Sequence, residues 1–557
     1  MRARRWPRWV SSAAIVLFGT AAVSLPAAAA GVAAQGSPSG ATAFAPQAYS
    51  PLRVTAVAQV SKDDPVPTRT YSEPSMLVDP ENPKVIVASA VEMRTQICYL
   101  MRSTDAGVTW HILPALPGTN AFPDCFTVNG GQTQSPLAWG RNHTLYYGLL
   151  GYNQSDGGNG RQGDMSVLLA RSTDLGTSWN TTIVDNSRGK TGEMVQNDSP
   201  VASVAVDSHS AGRDIVYVAW NQSFPKSKSP DSPTLVATSM DGGQTFGPPV
   251  NVNPFYHDTY TDSDGTVYHV GLGTPFLAVG TTGTLYAVGG AAVPFSVTVY
   301  PPLPLLSAVS TDHGRTWTVT KFTDASHDLS QPVLKASNLG GPNGTLLLVY
   351  QDKLGSQAQG SEDIYFQRST DGAKSWSTPL RLNDDDPANQ TYHFMPNLSV
   401  APNGRIDVAW YDFRNQQSFA NDVYYTYSTD NGTSWAKNIR ITDQTIDRTF
   451  GPNANFDIRI PPGVASTNAY ATVGWSDTRL GNSATQTQDV YANVVQFTPL
   501  PSGGTNRTLR YLEAAAGALL AAGLVVLVIA LVRRRDDVLP PPPPAAKSPE
   551  REPVGAH

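Results

Sequence analysis

One eight-residue pattern occurs six times along the chain, and it constrains the fold more than anything else in the sequence. It reads Ser103-Thr-Asp-Ala-Gly-Val-Thr-Trp110, Ser172-Thr-Asp-Leu-Gly-Thr-Ser-Trp179, Ser239-Met-Asp-Gly-Gly-Gln-Thr-Phe246, Ser310-Thr-Asp-His-Gly-Arg-Thr-Trp317, Ser369-Thr-Asp-Gly-Ala-Lys-Ser-Trp376 and Ser428-Thr-Asp-Asn-Gly-Thr-Ser-Trp435. The aspartates Asp105, Asp174, Asp241, Asp312, Asp371 and Asp430 are spaced by 69, 67, 71, 59 and 59 residues. Copies this regular imply one supersecondary unit repeated, each unit burying its apolar face against its neighbours. Composition fits units of short strands and many turns. Charged residues are 15% of the chain, against about 25% in ordinary soluble domains. There are 47 Gly, 44 Pro, 22 Tyr and 11 Trp. This excludes a coiled coil, a collagen and a disordered chain.

A second mark recurs. Pro74, Pro136, Pro200, Pro275, Pro332 and Pro396 each open an apolar stretch, 31 to 41 residues ahead of the box aspartate. A further strand falls between proline and box, at 85–91, 215–220, 345–350 and 406–410 among others. A unit therefore reads as Pro-led strand, strand, strand, box, strand, which is a four-stranded propeller blade.

The repeated octapeptide resembles the Asp-box, or BNR repeat, of the sialidase superfamily. The resemblance implies that each box is the hairpin turn between the third and fourth strands of a blade. The residue types suit that role. Asp caps backbone N–H groups of its own turn, Gly supplies a left-handed residue, and Ser or Thr adds a local bond. The Trp is expected to pack between neighbouring blades. The six box aspartates are read as structural.

The fold expected is all-β, a seven-bladed propeller spanning 51–498, with six blades as the alternative. Six units contain boxes. A seventh, partial unit has its first strand expected at 455–460, its second at 469–475 and its third at 489–497, with neither a box nor a fourth strand. The free strand at 52–60 is placed to close the ring by adding to that last unit. Closure removes exposed sheet edges.

Propeller geometry puts the start of each first strand and the end of each second strand at one mouth of the ring, opposite the boxes. The residues there are Glu73, Glu92, Arg94, Asp198, Asp352, Tyr392, Asp412, Arg414, Asp477 and Arg479. These are the candidate ligand contacts. Arginine suits fork-like recognition of a carboxylate, such as that of sialic acid. Asp412 with Arg414 and Asp477 with Arg479 recur in successive units, which fits inter-blade ion pairs equally well.

The resemblance implies, for an active family member, an arginine triad, a Tyr–Glu nucleophile pair and an Asp acid/base, an exception to the usual two carboxylates of glycosidases. The family's Phe/Tyr-Arg-Ile-Pro motif ahead of the first box is absent here. The nearest match, Ile458-Arg459-Ile460-Pro461, follows the last box. Two readings follow: a surface propeller binding a glycan or protein at its charged mouth without catalysis, or a divergent exo-glycosidase acting on sialosides or related acidic sugars. Three Arg converging in one pocket with a Tyr–Glu pair opposite would favour the enzyme; Arg94, Arg414 and Arg479 each paired with a neighbouring blade's Asp would defeat it. A scaffold in an envelope assembly, with no small ligand, is a third reading. No cofactor is indicated and no metal constellation is found; Asp384-Asp-Asp386 reads as a solvated loop. A net charge of −6 offers no footprint for nucleic acid.

The ends place the chain. Residues 1–30 read as a secretory signal, basic then apolar then small, with an uncleaved anchor as the alternative. Residues 31–50 read as a linker and 499–513 as a stalk. Residues 514–532 form a 19-residue apolar stretch followed by Arg533-Arg534-Arg535. At ~1.5 Å per residue the stretch spans about 28 Å, so it is expected to be a single transmembrane helix with a cytoplasmic, Pro-rich tail at 533–557. The propeller is thus expected outside the cell, where Cys98 and Cys125 are expected to be disulfide-linked rather than free thiols.

Overall fold

The computed structural model describes most of residues 47–500. Residues 1–46 lie outside the described part, as do residues beyond 500 other than 523, 525–527 and 529, and internal segments that include 127–135, 153–164, 186–202, 354–361 and 453–460. The expected signal, linker, stalk and tail therefore fall outside it, and so does most of 514–532. The five described positions in that stretch are helical. Among the described residues no helix is long and apolar enough to cross a membrane.

Seven antiparallel sheets follow one another along the chain, each packed against the next, and the last packs on the first. They are the blades of a propeller: blade 1 (71–112), blade 2 (124–185), blade 3 (203–251), blade 4 (271–321), blade 5 (333–381), blade 6 (393–440) and blade 7 (463–496). The chain's first strands complete blade 7. Arg53 and Val54 pair with Gln496 and Val495, and Ala58 and Gln59 pair with Ala492 and Tyr491. The seven-bladed expectation and the closing role of the N-terminal strand are both realised. Among the described residues the first strand of blade 7 is Gly463–Ser466; the expected 455–460 lies outside them. An insertion, the hairpin Thr259–Thr261 with Val267–His269, separates blades 3 and 4.

Two prolines do more than open a strand. In blades 1 and 6 the innermost strand continues ahead of Pro74 and Pro396, and the register shifts there, between Ser72 and Ser75 and between Phe394 and Asn397. Proline cannot donate to the ladder, so it is tolerated at a bulge.

The boxes behave alike. In the fourth, the Ser310 hydroxyl donates to Asp312 Oδ1 at 2.8 Å and accepts from the Gly314 N–H at 2.9 Å. The same Oδ1 accepts from the Arg315 and Thr316 N–H groups, and the Thr316 hydroxyl donates to Oδ2 at 2.6 Å. Trp317 closes the loop by donating its indole N–H to the Gly314 carbonyl at 3.1 Å. Glycine is not the sole left-handed residue. His313 stands at φ 60° and Gly314 at φ 81°, and five of the boxes place a non-glycine residue in this region. Two successive positive φ angles make a type I′ turn, whose twist matches a hairpin. The network holds the Asp312 carboxyl down to about 2, chiefly through the Thr316 hydroxyl and N–H.

Five of the boxes also bond or stack on the preceding blade. Arg102 donates to the Leu175 carbonyl, Tyr146 to Gly242, Thr238 to His313, and Arg368 to Asn431. Trp376 stacks on Phe322 of blade 4 and Trp435 packs edge-on against Phe366 of blade 5. At the seam between blades 6 and 7, the buried Arg405 forks onto Asp407 (2.9 and 3.0 Å), donates to the Thr467 carbonyl and lies 3.6 Å from the Phe497 ring centre.

Two outcomes follow, both read by equilibrium denaturation in urea. Replacing Asp312 by Ala removes the acceptor for two N–H groups and two hydroxyls, and is expected to cost about 1–2 kcal/mol. Arg405→Met leaves Asp407 buried without its cation and is expected to cost more, about 3–5 kcal/mol.

Candidate functional site

Opposite the boxes, four second strands end in acids: Asn82–Glu92, Thr345–Asp352, Ile406–Asp412 and Tyr470–Asp477. In blades 5, 6 and 7 the third strand starts with another, directly opposite: Asp363 faces Asp352, Asp422 faces Asp412, and Asp489 faces Asp477. Facing carboxylates repel, and most of these are buried. Arginines make the arrangement tenable. Arg381 lies 2.9 Å from Asp363, Arg414 2.9 Å from Asp412, Arg440 2.7 Å from Asp422 and Arg479 2.7 Å from Asp477. Asp489 has only hydroxyl and amide donors, from Ser61 and Gln59, and burial pushes its carboxyl up.

The recurring Trp-x-Asp-x-Arg segments adopt one geometry twice. Trp410 donates its indole N–H to Asp412, and Trp475 donates to Asp477. Arg414 covers the Tyr424 ring at 4.2 Å and reaches Asp384 of blade 5's outer loop at 2.6 Å. Arg479 covers Tyr491 at 4.2 Å and reaches Asp443 of blade 6's outer loop at 2.9 Å. Arg94 donates to the Thr485 carbonyl of blade 7 at 2.6 Å. The three arginines therefore fasten three different seams and do not converge.

The remaining candidates are placed as follows. Glu92 is 1% exposed and accepts the Thr70 N–H. Asp352 is also buried, and accepts the Lys353 N–H. Glu73 lies in the innermost strand of blade 1, and Asp198 lies outside the described residues. Tyr392 is open to solvent, at 44%. Cys98 is disulfide-bonded, and the chain contains one other cysteine, Cys125.

Asp384 and Asp386 are exposed, as expected of a solvated loop, but all three acids are bonded: Asp384 pairs with Arg414, Asp386 caps a short helical turn by accepting the Ala388 N–H, and the Asp385 side chain turns inward and is 8% exposed. Asp385 bonds Arg381 and Asn383 and lies 3.2 Å from His393 Nε2. His393 is fully buried, with its Nδ1 2.8 Å from the Glu362 carbonyl and its Nε2 also 3.6 Å from Asp412. The carboxylates near Nε2 and the carbonyl at Nδ1 favour the charged ring. Burial opposes the charge, but the Asp385 hydrogen bond and the Asp412 and Asp385 charges outweigh it, so His393 titrates above the ordinary imidazole range. Burial would raise the Asp385 carboxyl; His393, Asn383 and Arg381 hold it well below the carboxylate range instead. Asp363, Asp385 and His393 bring ligand-type atoms within 4.8 Å of one another, and the Arg381 guanidinium already sits between the two acids. Sequence reading placed Tyr392-His393 at this mouth but had no signal for the long-range partners.

Beside this lattice opens a cleft of about 540 Å³, lined by Asn389, Gln390, Thr391, Tyr392, Phe394, Phe413 and Arg414. Phe394 and Phe413 stack with ring centres 5.2 Å apart. The wall 387–392 is set by Pro387 and the Asp386 cap, with Gln390 at φ 50°. The Phe413 N–H donates to the Tyr392 carbonyl at 3.1 Å. A second cleft, of about 430 Å³, lies under the inserted hairpin and includes Tyr256, His257 and His269.

No family model and no curated protein sequence matches the chain. Among solved structures it is similar to a protein of unknown function from Dyadobacter fermentans, at 10% identity over 80% of this chain and 99% of the other, with a TM-score of 0.43. It is also similar to a Penicillium chrysogenum α-L-arabinanase complexed with arabinobiose, at 15% identity over 70% and 99% of the two chains, TM-score 0.39. A Hadza microbial sialidase is 12% identical over 74% and 73%, TM-score 0.40.

The histidine sets a pH dependence. A folded pKa raised above the unfolded value of about 6.5 gives stability that is complete below that value and lost as pH rises through the folded pKa. The thermal midpoint should fall as pH rises above about 6.5, and His393→Asn should be less stable at acid pH and flatter across that window.

Proposed function

We propose that this chain is a membrane-anchored extracellular propeller that binds a glycan at the mouth opposite its boxes, without hydrolysing it. The observation that carries the reading is the cleft beside Tyr392. Its stacked Phe394–Phe413 pair and exposed Tyr392 offer flat apolar surface, and the amides of Asn389 and Gln390 with the Thr391 hydroxyl offer hydrogen bonds around it. A sugar ring, with an apolar C–H face and polar edges, matches that combination of apolar floor and few polar groups. Arg414 closes one side, but Asp412, Asp384 and Asn438 occupy its guanidinium, which favours neutral sugars over acidic ones. The alternative, sialoside hydrolysis, lacks a carboxylate clamp among Arg94, Arg414 and Arg479, because each is bonded at its own seam. The membrane anchor and the outward orientation rest on the leader at 1–30 and on the apolar 514–532 stretch with its arginine triplet.

A glycan array probed with the purified protein tests this. Binding to one or more neutral glycans is expected, with Tyr392→Ala and Phe413→Ala each weakening it at least tenfold at unchanged thermal midpoint. A fluorogenic sialoside should be released no faster than by buffer; turnover of that substrate would favour the enzyme instead.

A further inference from the structure

The insertion between blades 3 and 4 brings together two histidines, His257 and His269, that stand 12 residues apart in sequence. In the inserted hairpin Thr259 pairs with His269, and the Val270 N–H donates to the Asp258 carbonyl at 3.0 Å. The same register, carried one residue further, sets His257 opposite Gly271. Alternate residues of an antiparallel pair share a face. His257 and Thr259 on one strand and His269 on the other therefore lie on one face of the hairpin. The two histidines are diagonal neighbours, about 7–8 Å apart in such a ladder, a span that two imidazole rings can close.

The other face of the hairpin is occupied: Tyr260, Tyr268 and Val270 pack with Val293 and Leu303 of blade 4. The histidine face opens on the cleft of about 430 Å³, which His257, Thr259 and His269 line together with Asn251 and Asn253 at the end of blade 3. Both histidines are exposed there. The surrounding charge selects the sign of the ligand. The insertion contains Asp258, Asp262 and Asp264, no lysine or arginine lines the cleft, and none occurs anywhere in 229–314. Such a cleft draws a cation rather than an anion. The ligand atoms select its class. Imidazole suits zinc, copper and nickel, whereas calcium and magnesium take oxygen ligands. Asp258, next to His257, accepts the Tyr256 hydroxyl at 2.9 Å and so adds charge beside the ring.

We propose that His257 and His269 form a binding site for a divalent transition-metal ion of the zinc class, in the cleft between the inserted hairpin and blade 3. Zinc takes imidazole nitrogens at about 2.0–2.1 Å in tetrahedral geometry. Two imidazoles leave the other positions to water or to a ligand from solution, so the site is open and its affinity is micromolar rather than nanomolar. It shares no lining residue with the Tyr392 cleft, and it stands whether or not that cleft takes a sugar.

Histidine acylation with diethyl pyrocarbonate, followed by peptide mass spectrometry, tests this on the full-length, untagged protein after treatment with a chelator. Zinc chloride should slow the labelling of both His257 and His269 at least fivefold and saturably, while His111 and His209 label unchanged; calcium chloride should protect neither. In parallel, calorimetric titration with zinc should show affinity at least tenfold weaker in His257→Ala and in His269→Ala, at unchanged thermal midpoint of the zinc-free protein. Unchanged labelling of the two histidines in zinc overturns the proposal, as does protection of only one of them or equal protection by calcium. Undiminished zinc affinity in either variant overturns it too. Should a variant fail to fold, the labelling of the unaltered protein decides alone.

Discussion

The propeller depends on a clasp of three side chains. In each box a serine hydroxyl and a serine or threonine hydroxyl grip one aspartate, and the aspartate in turn caps the N–H groups of a type I′ turn. That clasp fixes the twist of the third and fourth strands, and so it fixes how the blade presents its faces to its neighbours. The turn's carbonyls then accept from the blade before it, as Leu175 accepts from Arg102 and His313 from Thr238. One local motif therefore both shapes a blade and links it to the next. Blade 7 has no box, and its missing fourth strand comes from Arg53–Val54 and Ala58–Gln59, which joins the two ends of the ring.

The opposite mouth is held by charge. Second strands end in acids because the arginine two residues later bridges its own acid to the outer loop of the preceding blade, as Arg414 reaches Asp384 and Arg479 reaches Asp443. The rim is consequently a bonded lattice, and its charges are largely neutralised in place. What remains for a ligand is the surface the lattice supports: the Tyr392, Phe394 and Phe413 cleft, whose walls stand on the loop that Asp384, Asp385 and Asp386 fasten. His393 sits beneath, buried between Asp385, Asp412 and the Glu362 carbonyl, which together favour its protonated form, so the order of the rim is coupled to its titration.

Much of the fold was legible in the sequence, because the signals for it are local. A Ser-x-Asp-x-Gly-x-Thr-Trp turn is specified by eight consecutive residues, and its spacing counts the blades. The closing strand was legible by elimination, as an unpaired strand opposite a unit lacking one. The site was legible only as a list of rim positions. Arg414 and Arg479 could be read equally as ligand clamps or as seam pairs, since their partners Asp384 and Asp443 lie 30 and 36 residues away. The inward turn of Asp385 within an otherwise exposed loop was not legible, because its partner His393 lies on the next blade.

The sequence by itself determined the repeat, the turn chemistry and the number of units, all of which depend on neighbours in sequence. Tertiary structure alone decided which charges are spent on holding blades together and which aromatic rings stay open. The physical reason is that a charge's role depends on its distance to an opposite charge, and in a ring those distances are set between blades rather than within them.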